Sequence, residues 1–117
     1  MSRIRGKDTK IEKIVEAWLS DNKLKFRKHY TMVGNPDFVL LERKIAIFVD
    51  GDFWHGYRMG PKRLATMKKF WREKISKNKS RDRRVNRSLK NDGWTIVRIW
   101  EHEIVRRQFV DKLKNIL

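Results

Sequence analysis

The stretch Pro36-Asp37-Phe38-Val39-Leu40-Leu41-Glu42-Arg43-Lys44-Ile45-Ala46-Ile47-Phe48-Val49-Asp50-Gly51-Asp52 reads as two strands and a tight connection. Asp37 to Leu41 is a short apolar run of the kind a buried strand requires, and Glu42-Arg43-Lys44 is the hairpin-like link. Ile45 to Val49 is a second, more apolar strand that ends at Asp50-Gly51. If the two strands pair as a hairpin, the start of the first and the end of the second lie together, away from the 42–44 turn. Asp37 and Asp50 then share one end of the sheet, with Asp52 close by. Carboxylates held that near each other repel unless a cation neutralises them. Mg2+ is the natural ion, since it is hard and takes carboxylates, carbonyls, water and phosphate. The plainer alternative is that both aspartates are strand-end turn residues.

Upstream, Ile11, Ile14, Val15, Trp18 and Leu19 have helical spacing, and Thr9 with Glu12 forms a T-x-x-E capping box. The helix should stop near Asn22-Lys23. Phe26, Lys28, Tyr30 and Met32 alternate with Arg27 and His29, which predicts a strand, and Gly34-Asn35-Pro36 predicts a turn. Downstream, residues 50–63 read as a loop with Gly51, Gly56, Gly60 and Pro61. Two helical stretches follow, at about 64–79 and 80–91, with Met67, Phe70, Trp71 and Ile75 on the inner face of the first and Val85 and Leu89 on that of the second. Asp92-Gly93 turns the chain into a strand from Trp94 to Trp100, and a last helix is expected from Glu103 to Ile116. The order α-β-β-β-α-α-β-α predicts an α/β fold, a central mixed β-sheet flanked by helices, in one domain over residues 1–117.

The chain has 117 residues with 30 Lys or Arg, 14 Asp or Glu and a formal charge of +16. Such a surplus points to a polyanion, because a basic surface gains affinity by releasing phosphate counterions. Cysteine is absent, which excludes disulfides and Cys-ligated metal. No apolar run approaches a membrane span and no signal-peptide core is present, so a cytoplasmic protein is expected.

Lys68 to Arg87 holds ten Lys or Arg against two acids, Glu73 and Asp82. Cations spaced along a helix can follow a phosphate backbone, with Lys68, Lys69, Lys74, Lys77, Lys79, Arg81 and Arg84 as candidates; the plainer reading is a solvated helix face. His55, five residues after Asp50, is placed to take a proton from water near neutral pH, or is an ordinary loop histidine. His29 and His102 have weaker contexts, and Glu12 is accounted for as a cap. Phe53 and Trp54 put two large rings into a polar loop, either as core anchors or to stack on or wedge between bases; Trp71 in the basic stretch has the same two readings.

Taken together, Pro36-Asp37-Phe38-Val39, Phe48 through Gly56, Phe70-Trp71-Arg72-Glu73-Lys74-Ile75, Lys77-Asn78, Arg81-Asp82, Gly93-Trp94 through Trp100-Glu101 and the opening Met1 to Thr9 resemble the Vsr endonucleases of very-short-patch mismatch repair. The resemblance covers nearly the whole chain in order. It implies a restriction-endonuclease-like fold of the PD-(D/E)XK type and Mg2+-dependent nicking of one DNA strand, 5′ of the mispaired thymine of a T:G pair. It further implies a prokaryotic, cytoplasmic enzyme that joins the nucleoid during repair. By position, Asp37 matches the metal-binding aspartate, Val49 the residue whose backbone carbonyl helps hold the metal, and His55 a catalytic histidine. Glu12 matches an acid near the site, and Phe53, Trp54 and Trp71 match the aromatic wedge.

Some positions depart from the pattern. Asp50 stands where the family has a second catalytic histidine, so a metal-binding or water-orienting carboxylate is expected there. The family's structural zinc uses Cys and His; the matching positions include Asp52 and His102, and no structural zinc is expected. The chain opens at the family's Met-Ser-Arg block without its usual preceding segment, which predicts an altered grip on DNA. A monomer is expected, because one mismatched strand needs one cut. The rival readings are a nuclease of the same fold with another lesion or structure as substrate, and a non-catalytic basic DNA-binding module.

Overall fold

In the computed structural model, which describes residues 10–51 and 61–117, the hairpin forms as the sequence dictates. Strand β2 (Phe38–Leu40) pairs antiparallel with β3 (Ile45–Asp50), with Phe38 opposite Ile47 and Leu40 opposite Ile45. A 3-10 turn at Leu41–Arg43 joins them, and Lys44 takes a left-handed φ of 53° to re-enter the sheet. Helix α1 (Lys10–Asp21) precedes the short β1 (Arg27–Lys28). Helices α2 (Pro61–Ala65) and α3 (Lys69–Asn91) carry the chain from β3 to β4 (Thr95–Trp100), and α4 (Glu101–Val105) and α5 (Phe109–Lys114) close it. The sheet order is β1-β2-β3-β4, antiparallel except for the parallel β3–β4 pair. A parallel pair needs a long crossover, which the helical segment before β4 supplies.

Strand alternation divides the core. Ile45, Ile47, Val49, Val97 and Ile99 face α1, α4 and α5 through Val15, Trp18, Leu19, Ile104, Phe109 and Leu113. Ala46, Phe48 and Val39 face α3 through Val85 and Leu89. Both faces of β3 are buried, so its sequence is continuously apolar up to Asp50.

Three elements differ from expectation. The strand predicted over 26–32 is reduced to Arg27–Lys28, because His29 adopts φ 51° and turns out of the ladder. The helices predicted at 64–79 and 80–91 are instead the short α2 and one 23-residue α3, about 35 Å long. No Gly or Pro interrupts residues 69–91, so nothing ends the helix early. Of the four side chains expected on the inner face of the 64–79 stretch (Met67, Phe70, Trp71 and Ile75), only Ile75 is buried, and Phe70 is 63% exposed. The closing helix is split. Gln108 N–H donates to Glu103 O at 2.8 Å and Arg107 N–H to Ile104 O at 3.1 Å, with Arg107 at φ 60°. This is a Schellman stop with arginine where glycine is usual. The same stop ends α1 at Lys23 (φ 56°) and α3 at Gly93 (φ 86°), where Trp94 N–H donates to Leu89 O at 3.0 Å. Gly34 (φ 78°) meets α3 so closely that a Cβ there would collide with Val85.

Candidate active site

The end of the sheet away from the 3-10 turn gathers the acids. Asp37 precedes β2, and its Oδ2 accepts a 2.7 Å hydrogen bond from the Val49 N–H, which fixes the carboxylate against the end of β3. His29 N–H donates to Asp37 O at 2.9 Å, so the chain turning out of β1 stays beside that aspartate. On α1, Glu12 is 7% exposed, and its Oε1 lies 3.7 Å from His29 Nε2. Donor atoms of Glu12, His29 and Asp37 all lie within 4.8 Å of one another. Burial, and then the negative charge of Glu12, push the Asp37 carboxyl up from 3.8 to about 6; the Val49 hydrogen bond and His29 pull the other way, and Asp50 adds to the rise. The Asp37 carboxylate is thus held in a place that disfavours its charge, the electrostatic condition a cation relieves. Two carboxylates and an imidazole are a donor set that fits a divalent metal ion.

Asp50 lies at the same sheet end, as the hairpin predicts, but faces α3. Its two carboxylate oxygens accept from Arg98 Nη1 at 3.1 and 3.2 Å. Arg98 also reaches α3, donating from Nε to Asn86 Oδ1 at 2.9 Å and lying 3.6 Å from Asp82 Oδ1, while its guanidinium stacks 4.1 Å above the Phe48 ring. Asp50 and Arg98 thereby tie β3, β4 and α3 together. Asp50 is not among the three residues whose donor atoms cluster.

His29 is the residue that sequence reasoning passed over. Its alternation with apolar neighbours predicted a strand, and the left-handed turn that brings its ring to Glu12 leaves no clear local signal. Histidine is among the side chains that tolerate that conformation, which is the one hint the sequence holds. Glu12, read as a cap, points into the cluster; Thr9, its capping partner, lies outside the described residues. Asp52, Phe53, Trp54 and His55 also lie outside them. His102 is half-buried on α4.

The basic residues line α3. Lys69, Lys77, Arg81 and Arg84 are exposed and Lys74 and Lys79 half-buried, with Lys68 exposed just before the first turn. Ser76, Lys77, Asn78, Ser80, Arg81 and Arg84 line a shallow depression. Trp71 is half-buried, and exposed Phe70 meets its ring edge-on, centroids 4.9 Å apart.

A mixed sheet with acids at one end and a long basic helix across one face defines a restriction-endonuclease-like α/β protein. The catalytic domain of the homing endonuclease I-Bth0305I has the same fold, at a TM-score of 0.63 and 22% identity over 92% of each chain. The sequence comparisons narrow this class to a family: residues 1–60 match the profile of DNA mismatch endonuclease Vsr, and the chain belongs to the Vsr family of DNA endonucleases. It is 40% identical over 103 residues to DNA mismatch endonuclease Vsr of Escherichia coli K12, covering 86% of this chain and 66% of that protein. It is 37% identical to the type II nicking enzyme V.NaeI of Lentzea aerocolonigenes, covering 88% of this chain and 66% of that one. The type II nicking enzyme V.XorIIP of Xanthomonas oryzae is 34% identical, with 100% and 88% covered. Among the described residues, no helix is long and apolar enough to cross a membrane.

Proposed function

We propose that this chain is a Mg2+-dependent endonuclease that nicks one DNA strand 5′ of the mispaired thymine at T:G mismatches. The observation that carries the reading is the pairing of buried Glu12 with half-buried Asp37, with Val49 fixed to Asp37, at the sheet end of a Vsr-family chain of charge +16. Asp37 and the Val49 carbonyl would hold the ion, Glu12 would face it from α1, and Asp50 would act on it through its charge from the pair with Arg98. When bound, Mg2+ polarises the scissile phosphate and stabilises charge on the leaving oxygen. His55 takes a proton from the attacking water, or orients it. Lys68, Lys69, Lys74, Lys77, Lys79, Arg81 and Arg84 hold the DNA backbone. Phe53, Trp54 and Trp71 open the stack beside a pair that is already weak; unstacking is least costly at a mismatch, so the wedge itself selects the substrate. One site making one nick suits a monomer acting in the cytoplasm.

A panel of duplexes tests the substrate: T:G, matched T:A, abasic, deaminated and branched, each with Mg2+. Preferential nicking of T:G supports the proposal. Preference for another member assigns the fold to a different lesion. Tight, salt-sensitive binding with no cleavage of any member makes the chain a binding module.

A further inference from the structure

We propose that His29 is a nitrogen donor of the divalent-ion site at Glu12 and Asp37, giving this site a stronger hold on borderline ions such as Co2+ than oxygen donors alone provide. The inference rests on the metal-dependent reading above and names a ligand which that reading lacks. Two donors each about 2.1 Å from one ion can be no more than about 4.2 Å apart. The 3.7 Å between His29 Nε2 and Glu12 Oε1 falls inside that limit, and the outer spread of 4.8 Å for the three donor atoms needs only a small inward movement. The His29 side chain is 20% exposed and that of Glu12 10%, so the ion would sit in a pocket and keep an open side for water and phosphate.

The main chain places the ring. His29 leaves β1 in the left-handed conformation directly after the Lys28–Phe38 pair, and its N–H is tied to Asp37 O at 2.9 Å. A residue that continued the strand would point its side chain out of one face of the sheet instead. Imidazole suits Co2+, Ni2+ and Zn2+, whereas Mg2+ prefers oxygen, so the nitrogen raises affinity for the former group selectively.

The test is metal binding by the full chain without DNA. Co2+ and Mg2+ are titrated calorimetrically into the parent protein and into His29→Gly and His29→Asn, both side chains being compatible with a positive φ. The variants should bind Co2+ about tenfold or more weakly, on the scale of losses at metal sites, with Mg2+ affinity changed much less. In the Co2+-loaded parent, proton NMR should show a hyperfine-shifted imidazole N–H that persists in His55→Ala and His102→Ala and disappears in His29→Gly. That signal decides the matter even where the His29 variants fold poorly. Absence of a shifted imidazole proton, its loss in His55→Ala or His102→Ala instead, or Co2+ and Mg2+ affinities falling in equal proportion would overturn the assignment. Failure of the mismatch panel would leave the Co2+ result intact, so the two readings fall separately.

Discussion

Replacing Asp37 by Asn should stabilise the metal-free protein while abolishing cleavage. Burial and the neighbouring Glu12 raise the Asp37 carboxyl from 3.8 to about 6. A raised carboxyl binds its proton more tightly in the folded state. The wild-type protein therefore loses stability as pH rises from about 4 to about 6, and by pH 8 has lost the whole of that increment. The rise corresponds to about 3 kcal/mol. Asn keeps the acceptor for the Val49 N–H and removes the charge that Glu12 repels. At pH 8 the variant should then melt roughly 10 °C above wild type, given the usual 2–8 °C per kcal/mol. Below pH 4 the two should melt together. Saturating Mg2+ should close the gap, since an ion at a hundred times its dissociation constant adds about 2.7 kcal/mol to the form that binds it. Thermal unfolding followed by circular dichroism, over pH 3.5–8 and with and without Mg2+, measures all of this. A variant less stable than wild type at pH 8, or a gap independent of pH, refutes the electrostatic account of the site.

Other perturbations probe the supporting parts. Arg98→Met should cost about 3–5 kcal/mol in denaturant unfolding, because it takes the guanidinium away from the buried Asp50 carboxylate; Asn at Asp50 in the same chain should recover part of that loss, and no recovery would deny the pair its role. Replacing Lys77, Arg81 and Arg84 with Ala should weaken duplex binding for every sequence and lower the slope of log affinity against log salt by about 0.9 for each phosphate no longer neutralised. An unchanged slope would move the DNA track off this face of α3. Phe70→Ala should leave stability within about 0.5 kcal/mol, since the ring is exposed, yet reduce the preference for mismatched over matched duplex if Phe70 and Trp71 act together. An intact preference would make Phe70 a bystander.

Much of the architecture is written in periodicities that a single segment carries. The β2–β3 hairpin, the end of α1 near Lys23 and the strand after Asp92-Gly93 all have local signals: apolar runs, helical spacing and a glycine at the stop. The break between α4 and α5 has none, because its left-handed residue is Arg107, and arginine carries no such preference. The continuous α3 is hard to read for the opposite reason. Its apolar residues are sparse, so a gap in their spacing resembles a boundary, whereas helix continuity depends on the absence of breakers. In the site, the hairpin argument brings Asp37 and Asp50 to one end of the sheet. It does not foresee Arg98, 48 residues after Asp50, which only the parallel β3–β4 pairing brings alongside. His29 is concealed by an alternation that the structure interrupts at that residue, a local rule broken where the acids gather.

The central claim is that the Asp37 site performs metal-dependent, strand-selective cleavage. It is tested most directly on one duplex with a single central T:G pair, each strand carrying its own label, incubated with wild type or Asp37→Asn in Mg2+ or EDTA, with binding read from the same samples. The expected result is a Mg2+-dependent nick in the T strand only, 5′ of the mispaired thymine, by wild type alone, with both proteins binding the duplex. Cleavage by Asp37→Asn, cleavage in EDTA, or equal cutting of both strands would contradict it.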